Sequence, residues 1–347
     1  MLDMKRFALR AALILSLLFG GCASTAAPQR YEKVYLDVFD TVTTVVLYDS
    51  SEQSANARFD ELHDILLTYH KLYDIYHTYD GMNNLCTVNQ NAGIAPVKVD
   101  ETILDLIEYA IGMDTLTDGR MNIAMGSVLQ LWQTYRDAGL DDPDNAALPP
   151  MDELLAANQS ANIGNVVADR LAGTLYVSDA NTRLDVGAIA KGYAAQQAVD
   201  AMKSAGVTAM LLSIGGNVCS IGTRADGSGW KVGIQNPYGD GTIAIVQVAG
   251  QNVVTSGTYE RYYTVDGKRY HHIIDPATLM PSTLYDSVTV ISSDSALADA
   301  LTTGLFCMTI DEGMALVERL PDTEAFWVLS DGSQQMSSGF SAYLAKE

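Results

Sequence analysis

The sequence predicts an α+β fold, a mixed and largely antiparallel sheet with helices packed on it. Three observations lead there. Strand and helix patterns are interleaved irregularly rather than in a repeating unit. The second half, from Ala209 to Ile274, is mainly alternating β sequence. Within it, Asp266-Gly267 stands between Tyr262-Tyr-Thr-Val and Lys268-Arg-Tyr-His-His-Ile-Ile274, a two-residue turn signal that pairs strands antiparallel.

The N-terminus reads as targeting rather than fold. Lys5, Arg6 and Arg10 precede the apolar run Ala11 to Phe19, and Gly20-Gly21-Cys22 follows, the layout of a secretory signal peptide and too short for a comfortable membrane span. The ending resembles a bacterial lipobox, whose Cys is acylated and becomes the mature N-terminus. Residues 1–21 are therefore expected to be a lipoprotein signal peptide, Cys22 the lipidation site, 22–30 a tether and 31–347 the folded domain. This places the chain on the extracytoplasmic side of a bacterial cell envelope, held to a membrane by lipid. A plain signal peptide with an incidental Cys is the other reading.

Composition narrows the partners. The chain of 347 residues has 21 Lys and Arg against 42 Asp and Glu, a net charge of −21. No nucleic acid is expected, because phosphate backbones need a basic footprint. With Cys22 set aside, Cys86, Cys219 and Cys307 lack metal-ligand spacing and read as buried thiols.

Taken in order, Tyr31 to Tyr48 alternates as a strand or strand pair interrupted at Phe39-Asp40-Thr41. Ser51 can cap a helix from Glu52 to about Ile75, with Phe59, Leu62, Ile65, Leu66, Tyr69 and Leu72 at helical steps. His63, His70 and His77 recur at intervals of seven, yet no carboxylate or Cys pattern completes a metal site around them. Tyr79 to Gly93, rich in Asn and Gly, reads as a loop. Asp100 caps a helix to about Leu116, and Met121 to Gly126 leads into a third helix through Trp132. Asp141 to Pro150 is a surface connector and Met151 to Asn158 a short helix begun by Pro150. Val166 to Val177 reads as a hairpin around Ala172-Gly173. Strands follow at Ala209–Ile214, Val218–Gly222, Trp230–Pro237, Ile243–Val248 and Val253–Ser256.

Two stretches carry candidate chemistry. In Arg183 to Tyr193, Leu184-Asp-Val reads as a strand end, Gly187 as a turn and Ile189 onward as a helix. The first amides of such a helix lack intrahelical partners and can face a phosphate, with Lys191 as a mobile countercharge; a simple structural turn is the alternative. In the helix from Asp294 to Phe306, Asp299 and Thr303 stand one turn apart on one face. Their oxygens could hold a hard divalent cation such as Mg²⁺ or serve packing alone, with Thr303 bonded back to a carbonyl. His271 and His272 lie on one alternating strand, so at most one should face a site.

Leu184 to Tyr193, Ile214-Gly-Gly-Asn217, Trp230 to Pro237, Thr255-Ser-Gly-Thr-Tyr-Glu-Arg-Tyr262, His271-His-Ile-Ile-Asp-Pro276 and Ala298-Asp-Ala-Leu-Thr-Thr303 follow the order and spacing of the ApbE family. These are the FAD:protein FMN transferases, formerly described as thiamine biosynthesis lipoproteins, and the resemblance runs from Asp37 to about Val328. It implies a T-fold-like α+β architecture that binds FAD with Mg²⁺, transfers FMN to a Ser or Thr hydroxyl of an acceptor flavoprotein through a phosphodiester, and releases AMP. By the same resemblance the metal would be held by the Ala188 carbonyl, Asp299 and Thr303. Flavin contacts would fall at Phe39, Asn84, Asn122, Asp185, Lys191, His272 and Ile273. The acceptor hydroxyl must lose its proton, and His272 is the candidate base, with positioning of the flavin alone as the other role for it. Family analogy suggests a membrane redox-pump subunit or an extracellular flavoprotein as acceptor. A Mg²⁺-dependent FAD pyrophosphatase and a flavin-binding lipoprotein without chemistry are the alternatives.

Overall fold

The computed structural model describes residues 27–346 of the chain; the signal-peptide and Cys22 expectations lie outside them. The strands run β1 (Gln29–Tyr35), β2 (Thr43–Asp49), β3 (Val97–Lys98), β4 (Val166–Asp169), β5 (Thr174–Val177), β6 (Met210–Ile214), β7 (Asn217–Ile221), β8 (Trp230–Gln235), β9 (Thr242–Val248), β10 (Asn252–Gly257), β11 (Tyr262–Val265), β12 (Lys268–His271), β13 (Tyr285–Ser292), β14 (Thr323–Leu329) and β15 (Gln334–Met336). The α-helices are α1 (Glu52–Tyr73), α2 (Leu85–Gln90), α3 (Glu101–Leu116), α4 (Gly126–Asp141), α5 (Met151–Asn158), α6 (Ala190–Ser204), α7 (Ser295–Phe306) and α8 (Ile310–Val317).

The centre is an eight-stranded sheet of order β1-β2-β6-β7-β10-β13-β14-β15, antiparallel at every step. Its period-two alternation feeds two cores. Val254, Val288, Val290 and Trp327 turn toward α7, while Val253, Ile291, Phe326 and Val328 turn toward the β8–β9 hairpin on the opposite face. Helices α1, α6 and α7 lie together on the first face, where Phe59, Leu62 and Leu66 of α1 meet Ala195, Ala198 and Met202 of α6. Alanines line this face of α6 because the helices pack closely. Beyond them, α3 and the small β3-β5-β4 sheet enclose a further core.

Most boundaries follow the expected signals. Ser51, Asp100 and Asp294 each accept a backbone N–H at the start of α1, α3 and α7. The Asp266-Gly267 turn has both residues at positive φ, 50° and 79°, and pairs Val265 with Lys268. The segment Tyr79 to Gly93 departs from its loop expectation by containing α2. The same asparagines that signal a loop also cap helices, and here Asn84 caps α2 with a reciprocal bond to Thr87. Leu184 to Val186 is not a strand. A single parallel bridge ties Met125 to Arg183, and the chain then runs extended into a turn before α6.

Candidate active site

At one end of the sheet, a cleft of about 700 Å³ opens where the Phe39–Thr41 turn, the Gly215-Gly216 turn, the end of β10 and residues 185–191 converge on α7. Local backbone builds its floor. Phe39 and Asp40 sit at φ 56° and 51°, a left-handed conformation that costs a side-chain-bearing residue about 1–3 kcal/mol. The Phe39 amide donates to His70 Nδ1 at 3.1 Å and the two rings meet edge to face, which holds the turn. Gly215, at φ 49°, leaves room for Thr41, whose Oγ1 lies 2.4 Å from where a Cβ would stand. The following Gly216, at φ 96°, completes a two-residue turn that delivers Asn217 into the cleft.

The contact between α6 and α7 sets the centre of the cleft. A Cβ on Gly192 would lie 2.3 Å from Asp299 Cβ and 2.4 Å from the Ser295 carbonyl, so only glycine lets the helices approach this far. The Gly192 N–H donates to Asp299 Oδ2 at 2.7 Å. Gly192 is the third residue of α6, so its N–H is one of the first amides without an intrahelical acceptor, and the Asp299 carboxylate takes it; the Ala188 carbonyl, just outside the helix, receives no protein donor among the described residues. Asp299 is buried, and desolvation raises its carboxyl above the ordinary range against the opposing pull of Lys191, the Gly192 N–H and Asn217. Asn217 leans close enough to lower the carboxyl, yet its buried Nδ2 finds no partner of hydrogen-bond geometry.

Magnitudes favour a cation here. A buried carboxylate carries a penalty of several kcal/mol, while one charge-assisted hydrogen bond returns about 1.5–3 kcal/mol. Asp299 has no ion pair among the described residues. The back-bond expected of Thr303 is made instead by its neighbour: Thr302 Oγ1 donates to the Asp299 carbonyl at 2.7 Å, and Thr303 faces the cleft. A carboxylate, a hydroxyl and a carbonyl without a donor, all on one wall, fit a hard cation that keeps part of its water shell. Among the described residues no cluster of three or more His, Cys, Asp or Glu exists.

The two histidines divide as alternation requires. His271 is buried; its Nε2–H donates to the Ser282 carbonyl at 2.7 Å and its Nδ1 accepts from the Ile273 amide at 3.2 Å, so it is spent on structure. His272 keeps an exposed edge toward the cleft. The Arg261 carbonyl accepts both the His272 amide at 3.1 Å and its ring Nδ1 at 3.3 Å. A carbonyl can only accept, so Nδ1 carries the proton and Nε2 presents a lone pair. Desolvation first, then the positive Arg261, His271 and Lys191, hold this imidazole below its ordinary range. Asp185, half-buried deep in the cleft, is raised by desolvation and drawn back by the Gly187 N–H, at 2.8 Å, and by Arg261. That bond is what Gly187 serves; it is not in the left-handed region.

Of the residues singled out in the sequence, Phe39, Asn122, Asp185, Ala188, Lys191, His272, Ile273, Asp299 and Thr303 all line this cleft. Asn84 does not. It is fully buried, its Nδ2 donates to the Lys71 and His77 carbonyls at 3.0 and 2.7 Å, and its Oδ1 accepts from the Thr87 amide, so nothing remains for a flavin. His63 is bonded to Asp37, His70 to Phe39 and His77 to Asp74, so the three do not form a cluster. Cys86, Cys219 and Cys307 are free and buried, as expected. Residues the sequence reading passed over are Gly192, Asn217 and Arg261; each lay inside a quoted motif, but its role depends on a partner distant in sequence.

Fold and cleft together define an α+β protein with a wall of hard oxygen donors beside an ammonium and a guanidinium, the equipment for handling phosphates. The sequence model of the ApbE family matches residues 39–327, and the chain belongs to that family. It is 31% identical over 336 residues to the FAD:protein FMN transferase of Treponema pallidum, covering 92% of this chain and 90% of that protein. A Klebsiella pneumoniae FAD:protein FMN transferase is 35% identical over 254 residues, covering 72% of this chain and 76% of its own. The crystal structure of the ApbE protein from Thermotoga maritima superposes with a TM-score of 0.79 at 28% identity, covering 92% of this chain and all of that one.

Proposed function

We propose that this chain transfers FMN from FAD to a Ser or Thr hydroxyl of an acceptor flavoprotein through a phosphodiester bond, releasing AMP. The relatives that match most of its length are named FAD:protein FMN transferases, which supports FMN transfer from FAD. The observation that carries the reading in this chain is the buried Asp299 carboxylate without an ion pair, lining the cleft with Thr303 and with Ala188, whose carbonyl has no protein donor among the described residues, a donor set suited to Mg²⁺. Mg²⁺ bound there would supply charge stabilisation to the pyrophosphate oxygens.

The chain's own residues account for the rest. Lys191 adds fixed positive potential on the same wall. His272, neutral with Nε2 free, accepts the proton of the acceptor hydroxyl. The hydroxyl oxygen bonds to the FMN phosphorus, the phosphoanhydride bond breaks, and AMP leaves with the bridging oxygen. Asp185 and Asn122 line the cleft beside Phe39 and Ile273, a mixture of polar and apolar groups suited to a flavin ring.

Lipidation of Cys22 would hold the enzyme at an extracytoplasmic membrane face, near membrane redox-pump subunits or extracellular flavoproteins as acceptors. Among the described residues no helix is long and apolar enough to cross a membrane. Incubation with FAD, Mg²⁺ and a candidate acceptor domain, read by AMP release and intact acceptor mass, tests the reaction. One added FMN, lost when the acceptor Ser or Thr is replaced, is the expected result. AMP and free FMN with no labelled acceptor across several candidates would make the protein a pyrophosphatase instead.

A further inference from the structure

Arg261 lies on the cleft between β10 and β11. Two other arginines on the cleft wall already have carboxylate partners, Arg120 with Asp275 at 3.5 Å and Arg136 with Asp137 at 2.9 Å. The Arg261 guanidinium has neither an ion pair nor a hydrogen bond among the described residues. In a chain with twice as many acidic as basic side chains, a guanidinium left unpaired at a cleft is a site kept for an anion. It is exposed, and it lines the cleft together with Asp185 and His272, which both feel its charge. The backbone of the same residue fixes His272 through its carbonyl.

We propose that Arg261 is the cleft's pyrophosphate-recognising residue: its planar fork takes a phosphate of the dinucleotide while its carbonyl holds His272 with Nε2 free. The geometry of a guanidinium matches phosphate oxygens two at a time, which an ammonium such as Lys191 cannot do. Seating the phosphate and presenting the base then depend on one residue, so a ligand lacking phosphate gains nothing from it. The proposal rests on the flavin-transfer reading above.

The test compares FAD with riboflavin, which shares the ring and lacks phosphate, by fluorescence titration of the full chain and of Arg261→Gln and Arg261→Lys. The expected result is a loss of about 10- to 100-fold in FAD affinity for Arg261→Gln, with riboflavin affinity unchanged and part of the FAD affinity recovered by Arg261→Lys. Unchanged FAD affinity in Arg261→Gln overturns the proposal. So does an equal loss for riboflavin, which would mark a structural role. If the unaltered chain releases AMP from FAD while Arg261→Gln binds FAD normally, only this proposal fails. An unaltered chain that neither binds nor cleaves FAD removes the transferase reading with it.

Discussion

Asp299 is a buried carboxylate whose single backbone donor cannot offset its desolvation, so its behaviour should depend on a cation more than that of any surface acid. Asp299→Asn keeps an oxygen to accept the Gly192 N–H and removes the buried charge. We expect a fold that melts no lower than the parent chain, no rise in Tm on adding Mg²⁺, and AMP release reduced by about 100-fold or more. Calorimetry with and without Mg²⁺ decides it, and a retained Mg²⁺ effect would remove Asp299 from the metal site. His271 belongs to the same scale. Burial lowers its pKa below the ordinary value of 6.5, so on acidification the unfolded chain takes up its proton first. Its contribution is present above about pH 6.5 and is lost as pH falls below it. In His271→Gln the drop in Tm between pH 7 and pH 5 should be shallower than in the parent, although the variant starts lower; parallel curves would show that another group governs acid stability.

At the scale of elements, function depends on how closely α6 and α7 approach. Gly192→Ala would force its methyl into Asp299 Cβ and the Ser295 carbonyl, both backbone-anchored, so the helices must separate. We expect a loss of about 1–3 kcal/mol in urea denaturation together with weaker Mg²⁺ stabilisation. A variant of full stability would mean the helices shift without cost. The elements themselves were largely legible. Helix starts at Ser51, Asp100 and Asp294, the Asp266-Gly267 hairpin and the strands from Met210 to Gly257 follow local chemistry. The misreadings have local causes too. Asn serves both loops and caps, so α2 passed for loop. Leu184 to Val186 has strand composition but only one bridging neighbour, so no strand forms.

Over the whole molecule, the antiparallel sheet carries helices on one face and the β8–β9 hairpin on the other, and the three described cysteines are buried, Cys219 and Cys307 in the cores against the sheet and Cys86 on α2. An excess of thiol reagent should label the three together at the rate of global unfolding, followed by mass spectrometry. Rapid labelling of one alone would locate a region that opens independently of the rest.

What the sequence determined by itself was the class of fold, the family and most of the cleft. Periodicity and turn chemistry act over a few residues, and motif spacing places Asp299 and Thr303 one helical turn apart without any other part of the chain. Only the tertiary structure decided which groups are left free to act. The first-turn Gly192 N–H is taken by a residue 107 positions away, the tautomer of His272 is set by the Arg261 carbonyl 11 positions back, and the side chain of Asn84 is consumed by Lys71 and His77. Each outcome is a competition for hydrogen bonds among groups that folding brings together, and the winner depends on distances that local sequence does not contain.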